Sequence, residues 1–327
     1  MRAWLLDELN GIEHVRLADV ADPVPGPGEA VLEVRVAALN PADRYLAERQ
    51  YPAKPPLPHV LGRDGIGRVV QLGSGVSEMG IGDKRVVLRG EVGVNRWGTF
   101  AQRVSIPIEN LVEAPSDWTD EEAAGATLVY LTAYQALTMW GKLPDAALVL
   151  VTGASGGVGV AAVQLAAAMG YTVVGLSRSP EKSRRLEQLG AAATFNPEDP
   201  QWREAFKARL SPRRVDLAID NVGGKLLPEV IDTLGQNGRV SLVGRLAGTV
   251  PNFNTATLFF RRLRLGGVAV GTYTNAESRA AWQEVLRLLA AQKARPLVDS
   301  TFSFEELPKA FQRLAQGPMG KVLLQVK

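Results

Sequence analysis

The stretch that indicates the fold reads Val149-Leu150-Val151-Thr152-Gly153-Ala154-Ser155-Gly156-Gly157-Val158-Gly159. Its first residues form a short apolar run, which is typical of a β-strand buried on both faces. The glycines follow at once, and apolar residues then recur at helical spacing from Val158 to Met169. A strand, a glycine turn and a helix that leads into a second strand at residues 172–176 are the first unit of a dinucleotide-binding sheet.

The glycines of this turn suit a phosphate ligand. Because glycine has no side chain, backbone N–H groups and the positive end of the helix can approach a pyrophosphate closely. Ala154 stands where the usual fingerprint has its first glycine, so the strand–turn–helix context carries the assignment. We therefore predict a nucleotide site formed by residues 153–159, with an ordinary structural turn as the alternative.

The end of the second strand indicates which nucleotide binds. An NAD site carries Asp or Glu about 20 residues beyond the glycines, where it binds the ribose 2′-OH. This chain has Ser177 and Arg178 there, and Lys182 follows. Because no carboxylate would repel a 2′-phosphate and two cations can pair with it, we predict NADPH rather than NADH. The alternative is that both cations are solvated surface charges, with Ser179 and Pro180 merely opening a helix.

Length and composition indicate an ordinary globular protein. The chain has 327 residues, enough for two domains, and is 46% hydrophobic and 22% charged. Its 37 basic and 34 acidic residues give a formal charge of +3, too slight an imbalance to indicate nucleic-acid binding. No uncharged apolar run reaches membrane-spanning length, and Asp7 and Glu8 come too early for a secretory signal, so we expect a cytoplasmic protein.

The shortage of Cys and His residues limits the kinds of metal site and catalysis that the chain can support. The chain has no cysteine, which excludes disulfides, thiol catalysis and thiolate metal sites. Its two histidines, His14 and His59, lie far apart in sequence. Zinc sites of the usual kinds require more Cys and His than this chain contains.

The pattern along the chain predicts two domains. Residues 1–119 alternate in the manner of β-strands, and strand and helix signals alternate from residue 120 to residue 292, with a helix at 121–137 and a strand at 263–270. Such alternation is typical of a parallel, doubly wound sheet. Residues 293–327 are expected to pack back on the first domain.

Several short motifs together identify a family. They are residues 37–43 (Ala-Ala-Leu-Asn-Pro-Ala-Asp), 62–67 (Gly-Arg-Asp-Gly-Ile-Gly), 82–86 (Gly-Asp-Lys-Arg-Val), 122–124 (Glu-Ala-Ala), 131–134 (Leu-Thr-Ala-Tyr), the glycine turn, and 220–223 (Asp-Asn-Val-Gly). With these the chain resembles, over nearly its full length, the zinc-independent medium-chain dehydrogenase/reductases, and especially their NADPH:quinone oxidoreductase-like branch. Zinc-dependent relatives have a cysteine in the region of residues 40–43 and Gly-His-Glu where this chain has Gly-Arg-Asp at 62–64.

The resemblance implies an α/β fold with a GroES-like domain (residues 1–119 and 293–327) and a Rossmann NADPH-binding domain (residues 120–292). It also implies an active site in the cleft between the domains and a small-molecule substrate. It further implies homodimers joined through the edge strand of the cofactor sheet, for which the strand at residues 263–270 is the candidate. The residues expected to line the cofactor further are Thr132, Asn221, Val222, Gly223, Val243 and Gly244. Relatives often place a Tyr near the 2′-phosphate, and Pro197 stands there in this chain.

Without a metal or an obvious histidine base, alcohol oxidation lacks a means of activating the hydroxyl. We therefore predict hydride transfer to a quinone or an α,β-unsaturated carbonyl, in which the developing oxyanion needs hydrogen-bond donors and then a proton. The candidate catalytic residues are Asn40, Tyr51 and Thr132, and the candidate substrate contacts are Tyr45, Tyr51 and Phe260.

Each of these candidates has a structural alternative. The segment around Tyr51 resembles that of enoyl-thioester reductases, in which a Tyr donates the proton, but an aromatic residue before a proline-rich loop also serves packing. Asn40 precedes Pro41 and is equally suited to capping a short helix. Tyr45 is also typical of a residue that packs a helix against its neighbours. Thr132 is equally compatible with a helix position that has no role in binding or catalysis.

Two other functions stay open. An enoyl- or acrylyl-CoA reductase would need a basic channel for the CoA phosphates, which Arg245, Arg261 and Arg262 could supply. An NADPH-binding sensor or RNA-binding accessory protein with little catalysis is the third possibility. The sequence shows no RNA-binding motif and no interleaving of aromatic and basic residues, which counts against an RNA partner.

Overall fold

The computed structural model describes residues 1–249 and 254–327. Its strands, in chain order, are β1 (Arg2–Leu6), β2 (Arg16–Asp19), β3 (Glu29–Ala38), β4 (His59–Val60), β5 (Asp64–Leu72), β6 (Lys84–Val87), β7 (Arg103–Pro107), β8 (Leu111–Glu113), β9 (Leu148–Val151), β10 (Thr172–Leu176), β11 (Ala191–Phe195), β12 (Val215–Asp220), β13 (Leu234–Leu242), β14 (Arg264–Gly267), β15 (Val298–Ser303) and β16 (Lys321–Gln325). Its α-helices are α1 (Pro41–Ala47), α2 (Asp120–Ala124), α3 (Thr127–Thr138), α4 (Gly157–Ala168), α5 (Pro180–Gln188), α6 (Trp202–Leu210), α7 (Leu226–Thr233), α8 (Ala256–Arg261), α9 (Asn275–Ala291) and α10 (Leu307–Ala315).

The chain forms two compact units. The first consists of Met1–Leu128, Tyr273–Ala280 and Arg295–Lys327, and the second of Val129–Thr272 and Ala281–Ala294.

The first unit is built on two sheets. A three-stranded antiparallel sheet has the order β2-β1-β4, and a larger sheet has the order β15-β16-β3-β5-β6-β8, with β7 also paired to β3. Strand β16 runs antiparallel to β3, so the C-terminal segment does pack on the first domain, as predicted. Trp4 holds the C-terminal segment in this position, since its indole N–H donates to the carbonyl of Phe304 at 2.9 Å.

The second unit is a single parallel sheet with the order β11-β10-β9-β12-β13-β14. The strand order reverses between β9 and β12, and ligands of such sheets bind beyond the carboxyl ends of the strands at this switch point. Strand β14 lies at one edge, where the sequence predicted an edge strand. A homodimer joined through that edge stays a prediction.

The helix predicted at residues 121–137 is in fact two helices, so that prediction was wrong in its continuity. Helix α2 ends before Gly125, and α3 begins at Thr127. The Thr127 hydroxyl donates to the Val87 carbonyl at 2.7 Å and to Asp64 at 3.2 Å, and the Leu128 N–H donates to Asp64 at 3.3 Å. The first turn of α3 is therefore anchored to a buried carboxylate, and the chain begins a new helix there.

Two segments that the sequence pattern assigned to the Rossmann domain belong by their contacts to the first unit. Residues 120–128 are one, for the reason just given, and Tyr273–Ala280 is the other. Arg279 holds the second segment, because its guanidinium donates to the carbonyls of Ile108, Glu109 and Leu111. None of the helices within residues 1–249 and 254–327 combines the length and the hydropathy of a membrane-spanning segment.

Candidate active site

The conformation of the glycine turn in the second unit requires glycine at two positions. Gly153 has φ of 56°, in the left-handed region that favours glycine. A Cβ on Gly159 would lie 2.3 Å from the carbonyl oxygen of Gly153, so α4 can begin this close to β9 only if residue 159 has no side chain. Gly156 differs, because a Cβ there would meet only that same oxygen, at 3.5 Å.

Ala154 replaces the first glycine of the usual fingerprint without disturbing the turn. Its side chain is fully buried, and its N–H donates to the carbonyl of Leu176 at the end of β10 at 3.2 Å. A Cβ on Gly175 would approach the Ala154 methyl group to 3.1 Å. The methyl group therefore fits because the facing residue of β10 is itself a glycine.

Side chains at the ends of β9 and β12 are tied together. The Thr152 hydroxyl donates to the Asp220 carboxylate at 2.7 Å, and the Asn221 side-chain amide donates to the Thr152 carbonyl at 2.8 Å. Asp220 also accepts from the N–H groups of Val222 and Gly223. This network fixes the predicted residues 221–223 directly beyond β12.

The same end of the sheet has the features of a dinucleotide cradle. The Asn221 Oδ1 atom is buried with no hydrogen-bond partner among the described residues. A Cβ on Gly244 would lie 2.6 Å from the Asn221 carbonyl oxygen, so Val243 and Gly244 pass close to β12 just beyond the end of β13. An unpartnered acceptor and a closely packed glycine backbone therefore lie at the switch point, where sheets of this kind bind their ligands.

The predicted 2′-phosphate residues follow β10. Ser177 is buried, and Ser179 caps α5 by accepting from the Lys182 N–H at 3.3 Å, so Ser179 and Pro180 do open a helix. The Arg178 side chain is exposed and donates to Glu198 at 3.3 Å. The candidate phosphate ligand is thus already paired with a carboxylate.

Three other candidates lie on helices. Tyr45 is half-buried on α1 of the first unit, and Thr132 is half-buried on α3 in the second unit. Phe260 is exposed on α8, where its ring lies 4.4 Å from that of Phe259. Their roles stay predictions.

In the first unit, Asn40, Asp64 and Lys321 form a group that we call the lysine cluster. The Lys321 ammonium donates to Asn40 Oδ1 at 2.7 Å and to Asp64 Oδ2 at 3.1 Å, and the Asn40 amide donates to Asp64 Oδ2 at 3.0 Å. All three residues are buried. The Asn40 side chain is thus engaged inside the protein. Asn40 also occupies the N-cap position of α1, where its backbone N–H donates to the Asp43 carboxylate at 2.8 Å.

Asp43, Arg63 and Tyr51 form a second group, which we call the arginine cluster. Arg63 Nη1 donates to the Tyr51 hydroxyl at 3.0 Å, and Cζ of Arg63 lies 4.3 Å from the centroid of the Tyr51 ring. Arg63 Nε lies 3.6 Å from Asp43 Oδ1, within ion-pair distance but without a hydrogen bond. Burial raises the pKa of Asp43 to about 6, against the opposing effect of the Arg63 charge.

His59 is a further buried titratable group near Arg63. Burial lowers its pKa to about 4, and the neighbouring Arg63 charge acts in the same direction, while a hydrogen bond to the Gly93 backbone opposes both. Within the part of the chain that the structure describes, no group of three or more His, Asp or Glu side chains is arranged to hold a metal ion.

Sequence reasoning missed Arg63, Asp64 and Lys321 as members of a site. In the sequence, Arg63 and Asp64 indicated only that the histidine and glutamate of zinc-dependent relatives are missing. Lys321 lies in the C-terminal strand β16, 257 residues from Asp64. The signal that was available is a Lys at the start of an apolar strand, which requires a buried partner.

Comparison with known proteins identifies the family. Residues 26–116 match the alcohol dehydrogenase GroES-like domain, and residues 157–291 match the zinc-binding dehydrogenase domain. The human synaptic vesicle membrane protein VAT-1 homolog is 31% identical over 346 residues, covering 99% of this chain and 86% of the relative. Quinone oxidoreductase of Lama guanicoe is 29% identical (100% and 98% covered), and acryloyl-coenzyme A reductase of Sulfurisphaera tokodaii is 28% identical (94% and 96%).

Solved structures agree over the full length of the chain. An NAD-dependent alcohol dehydrogenase is 30% identical with a TM-score of 0.92, covering 100% of both chains. A mycobacterial protein complexed with NADPH is 26% identical with a TM-score of 0.89, again covering 100% of both. The predicted GroES-like and Rossmann folds are thereby confirmed, and the chain belongs to the medium-chain dehydrogenase/reductase superfamily of oxidoreductases.

Proposed function

We propose that the chain is an NADPH-dependent reductase that transfers a hydride to a quinone or an α,β-unsaturated carbonyl without zinc. The observation that carries this proposal is the lysine cluster. Asn40 and Asp64 stand in the segments where zinc-dependent relatives have their ligands, and both bind the Lys321 ammonium. An internal cation thus uses the oxygen atoms that a metal ion in this place would need.

The cofactor proposal rests on the second unit. Residues 153–159 would hold the pyrophosphate of NADPH, residues 221–223 with Val243 and Gly244 would line the nicotinamide, and Ser177, Arg178 and Lys182 would face the 2′-phosphate. The related mycobacterial protein complexed with NADPH supports this choice. The bound cofactor would supply the hydride for the reduction.

The chain's own contribution to the chemistry would be a proton held at the Tyr51 hydroxyl. Reduction of a conjugated carbonyl adds hydride at one carbon and leaves negative charge on the conjugated oxygen, so a second carbon or the oxygen must then gain a proton. Tyr51 is partly exposed and lies just beyond α1. Its O–H bond would break as the product C–H or O–H bond forms, and solvent water would return the proton to the tyrosine.

The alternative of an acyl-CoA reductase is supported by the acryloyl-coenzyme A reductase among the relatives. The three arginines suggested for the CoA phosphates are not equally placed. Arg261 donates to the Leu234 carbonyl at 2.9 Å and lies 3.8 Å from Asp232, whereas Arg245 and Arg262 are exposed. A CoA ester would therefore be met by two exposed arginines rather than three.

The test is NADPH oxidation, followed by its near-ultraviolet absorbance, with an ortho-quinone, a small enone, crotonyl-CoA and acrylyl-CoA as acceptors. The same panel with NADH measures cofactor preference. Turnover of quinone or enone with NADPH supports the proposal, and preference for a CoA ester favours the alternative. NADPH binding without turnover of any acceptor would contradict both and favour a sensor.

A further inference from the structure

The Arg63 guanidinium covers Tyr51 and bonds to it. Cζ lies 4.3 Å from the ring centroid, and Nη1 donates to the hydroxyl at 3.0 Å. Only 10% of the Arg63 side chain is exposed. Its Nε and Nη2 atoms are buried with no hydrogen-bond partner anywhere in residues 1–249 or 254–327. Since buried hydrogen-bond donors without partners are costly, an arginine in this position calls for an explanation.

The chemistry of the two groups sets the direction of the hydrogen bond. A guanidinium has only donors, so the Tyr51 oxygen must accept from Arg63. The hydroxyl hydrogen of Tyr51 is then left to be donated to another group. A tyrosine that gives up this proton becomes a phenolate, and a hydrogen bond between a cation and an anion is stronger and shorter than one between neutral groups. Arg63 is therefore placed to orient the Tyr51 hydroxyl and to stabilise a phenolate at this position.

The position of Arg63 is fixed by its neighbours. Gly62 has φ of 101°, and a Cβ there would lie 2.6 Å from the Thr99 hydroxyl oxygen and 2.9 Å from the Phe100 nitrogen. The backbone before Arg63 thus has little freedom to move. Asp43, which is fully buried, supplies a counter-charge 3.6 Å from Nε.

We propose that Arg63 is a positioning residue that acts through Tyr51: it holds the hydroxyl ready to donate its proton and stabilises the phenolate, with Asp43 holding Arg63. This inference rests on the proposed function, because it assigns the proton-transfer step of that reaction. No residue of the second unit enters it.

The decisive experiment measures kcat and KM for Arg63→Met, Arg63→Lys and Tyr51→Phe, and for each Arg63 change in the Tyr51→Phe background. Loss of one charge-assisted hydrogen bond should lower kcat about tenfold in Arg63→Met, and Arg63→Lys should retain more activity because it keeps the cation. In the Tyr51→Phe background neither Arg63 change should lower kcat further. Arg68→Gln, a nearby exposed arginine that donates to the Gly82 carbonyl, is the matched control and should leave kcat unchanged.

Two measurements that do not depend on turnover complete the test. The dissociation constant for NADPH, from cofactor fluorescence, should be the same in parent and Arg63 variants. In the protein without cofactor, the effects of Arg63→Met and Tyr51→Phe on denaturant unfolding should be non-additive, because the two side chains are in contact. If Arg63→Met does not fold, Arg63→Lys in the parent and Tyr51→Phe backgrounds decides the question.

The outcomes separate this inference from the proposed function. An Arg63 change that lowers kcat equally with and without the Tyr51 hydroxyl would overturn the inference while leaving NADPH-dependent reduction intact. A parent-like kcat in Arg63→Met or in Tyr51→Phe would do the same. A parent protein that binds no NADPH or reduces no acceptor would overturn both, and the unfolding experiment would then report only the contact.

Discussion

The lysine cluster and the arginine cluster lie side by side in the first unit, and they differ in how completely their polar atoms are bonded. Lys321, Asp64 and Asn40 bond to one another, and Thr127 and Leu128 bond to the remaining oxygen of Asp64. In the arginine cluster, buried atoms of Asp43 and Arg63 have no hydrogen-bond partner in the described parts of the chain. The lysine cluster is fully bonded internally, whereas the arginine cluster has buried atoms that could still form hydrogen bonds.

The difference indicates that the two clusters have different roles. A fully bonded buried ion pair holds segments together but offers nothing to a ligand. A cluster with unused donors is less stabilising, and it is suited to a group whose charge changes during a reaction. We therefore expect changes in the lysine cluster to affect stability most, and changes in the arginine cluster to affect pH dependence and turnover.

The largest effect is expected for Lys321→Met. Removing one partner of a buried ion pair leaves Asp64 uncompensated, so the free energy of unfolding should fall by about 3–5 kcal/mol. Denaturant unfolding at neutral pH measures it. The matched control is Lys309→Met, since Lys309 pairs with Glu306 at an exposed position. Equal effects of the two changes would show that the lysine cluster is not structurally important.

The next effect is a pair of opposite pH dependences. The pKa of Asp43 is raised to about 6, so its contribution to stability is fully present below about pH 4 and is lost as the pH rises through 6. The pKa of His59 is lowered to about 4, so its contribution is present above about pH 6.5 and is lost as the pH falls through 4. Each is worth about 3 kcal/mol for a shift of about two units, and in the parent protein the two largely cancel.

Replacing either Asp43 or His59 should make the pH dependence due to the other group measurable. Relative to the parent, Asp43→Asn should gain unfolding free energy between pH 4 and pH 6 as the pH rises, by about 3 kcal/mol. His59→Gln should lose a similar amount over the same range. Unfolding curves at several pH values measure both, and curves for the two variants that run parallel to the parent would contradict the burial of these groups.

The comparison extends to two glycines of the second unit. A Cβ on Gly159 would meet protein at 2.3 Å, whereas one on Gly156 would meet only the Gly153 oxygen, at 3.5 Å. Gly159→Ala should therefore lower both stability, by about 1–3 kcal/mol, and NADPH affinity. Gly156→Ala should leave unfolding unchanged and weaken NADPH binding alone, by about tenfold, because the added methyl group occupies the approach of the pyrophosphate. If Gly156→Ala left the affinity for NADPH unchanged, the pyrophosphate would not bind at this turn.

The smallest effect concerns the choice between cofactors. Arg178→Ala should lower the preference for NADPH over NADH by about tenfold, which is the effect of one lost charge-assisted contact to a phosphate. Glu198→Gln should raise it by about two- to threefold, because it frees Arg178 from an exposed pair of low strength. Dissociation constants for both cofactors measure the ratio. A preference that neither change alters would mean that the 2′-phosphate binds elsewhere.

Much of the fold could be predicted because its signals are local. The apolar run, the glycines and the helical spacing around residues 149–169 predict a strand, a turn and a helix, and the structure has β9 and α4 there. The break between α2 and α3 could not be predicted, since it depends on Asp64, more than 60 residues away in sequence. The assignment of Tyr273–Ala280 to the first unit depends in the same way on Arg279 and distant carbonyls.

The cofactor part of the candidate site was predictable because its residues directly follow strands. The carboxyl ends of neighbouring parallel strands lie at the same end of the sheet, so the topology brings these residues together. The first-unit clusters join β5, α1 and β16, so their pairing follows from tertiary structure and not from spacing. Tyr51 and Asn40 were chosen for their residue types, but the sequence did not show that Arg63 lies on Tyr51 or that Lys321 bonds to Asn40.

Whether the reaction is independent of zinc can be measured by NADPH-dependent reduction of an ortho-quinone or enone. The protein is first treated with a strong chelator and then assayed with and without added Zn²⁺. We predict the same rate in both conditions and a faster reaction with NADPH than with NADH. A reaction that depends on added Zn²⁺, or one that uses only NADH, would contradict a zinc-independent, NADPH-dependent reductase.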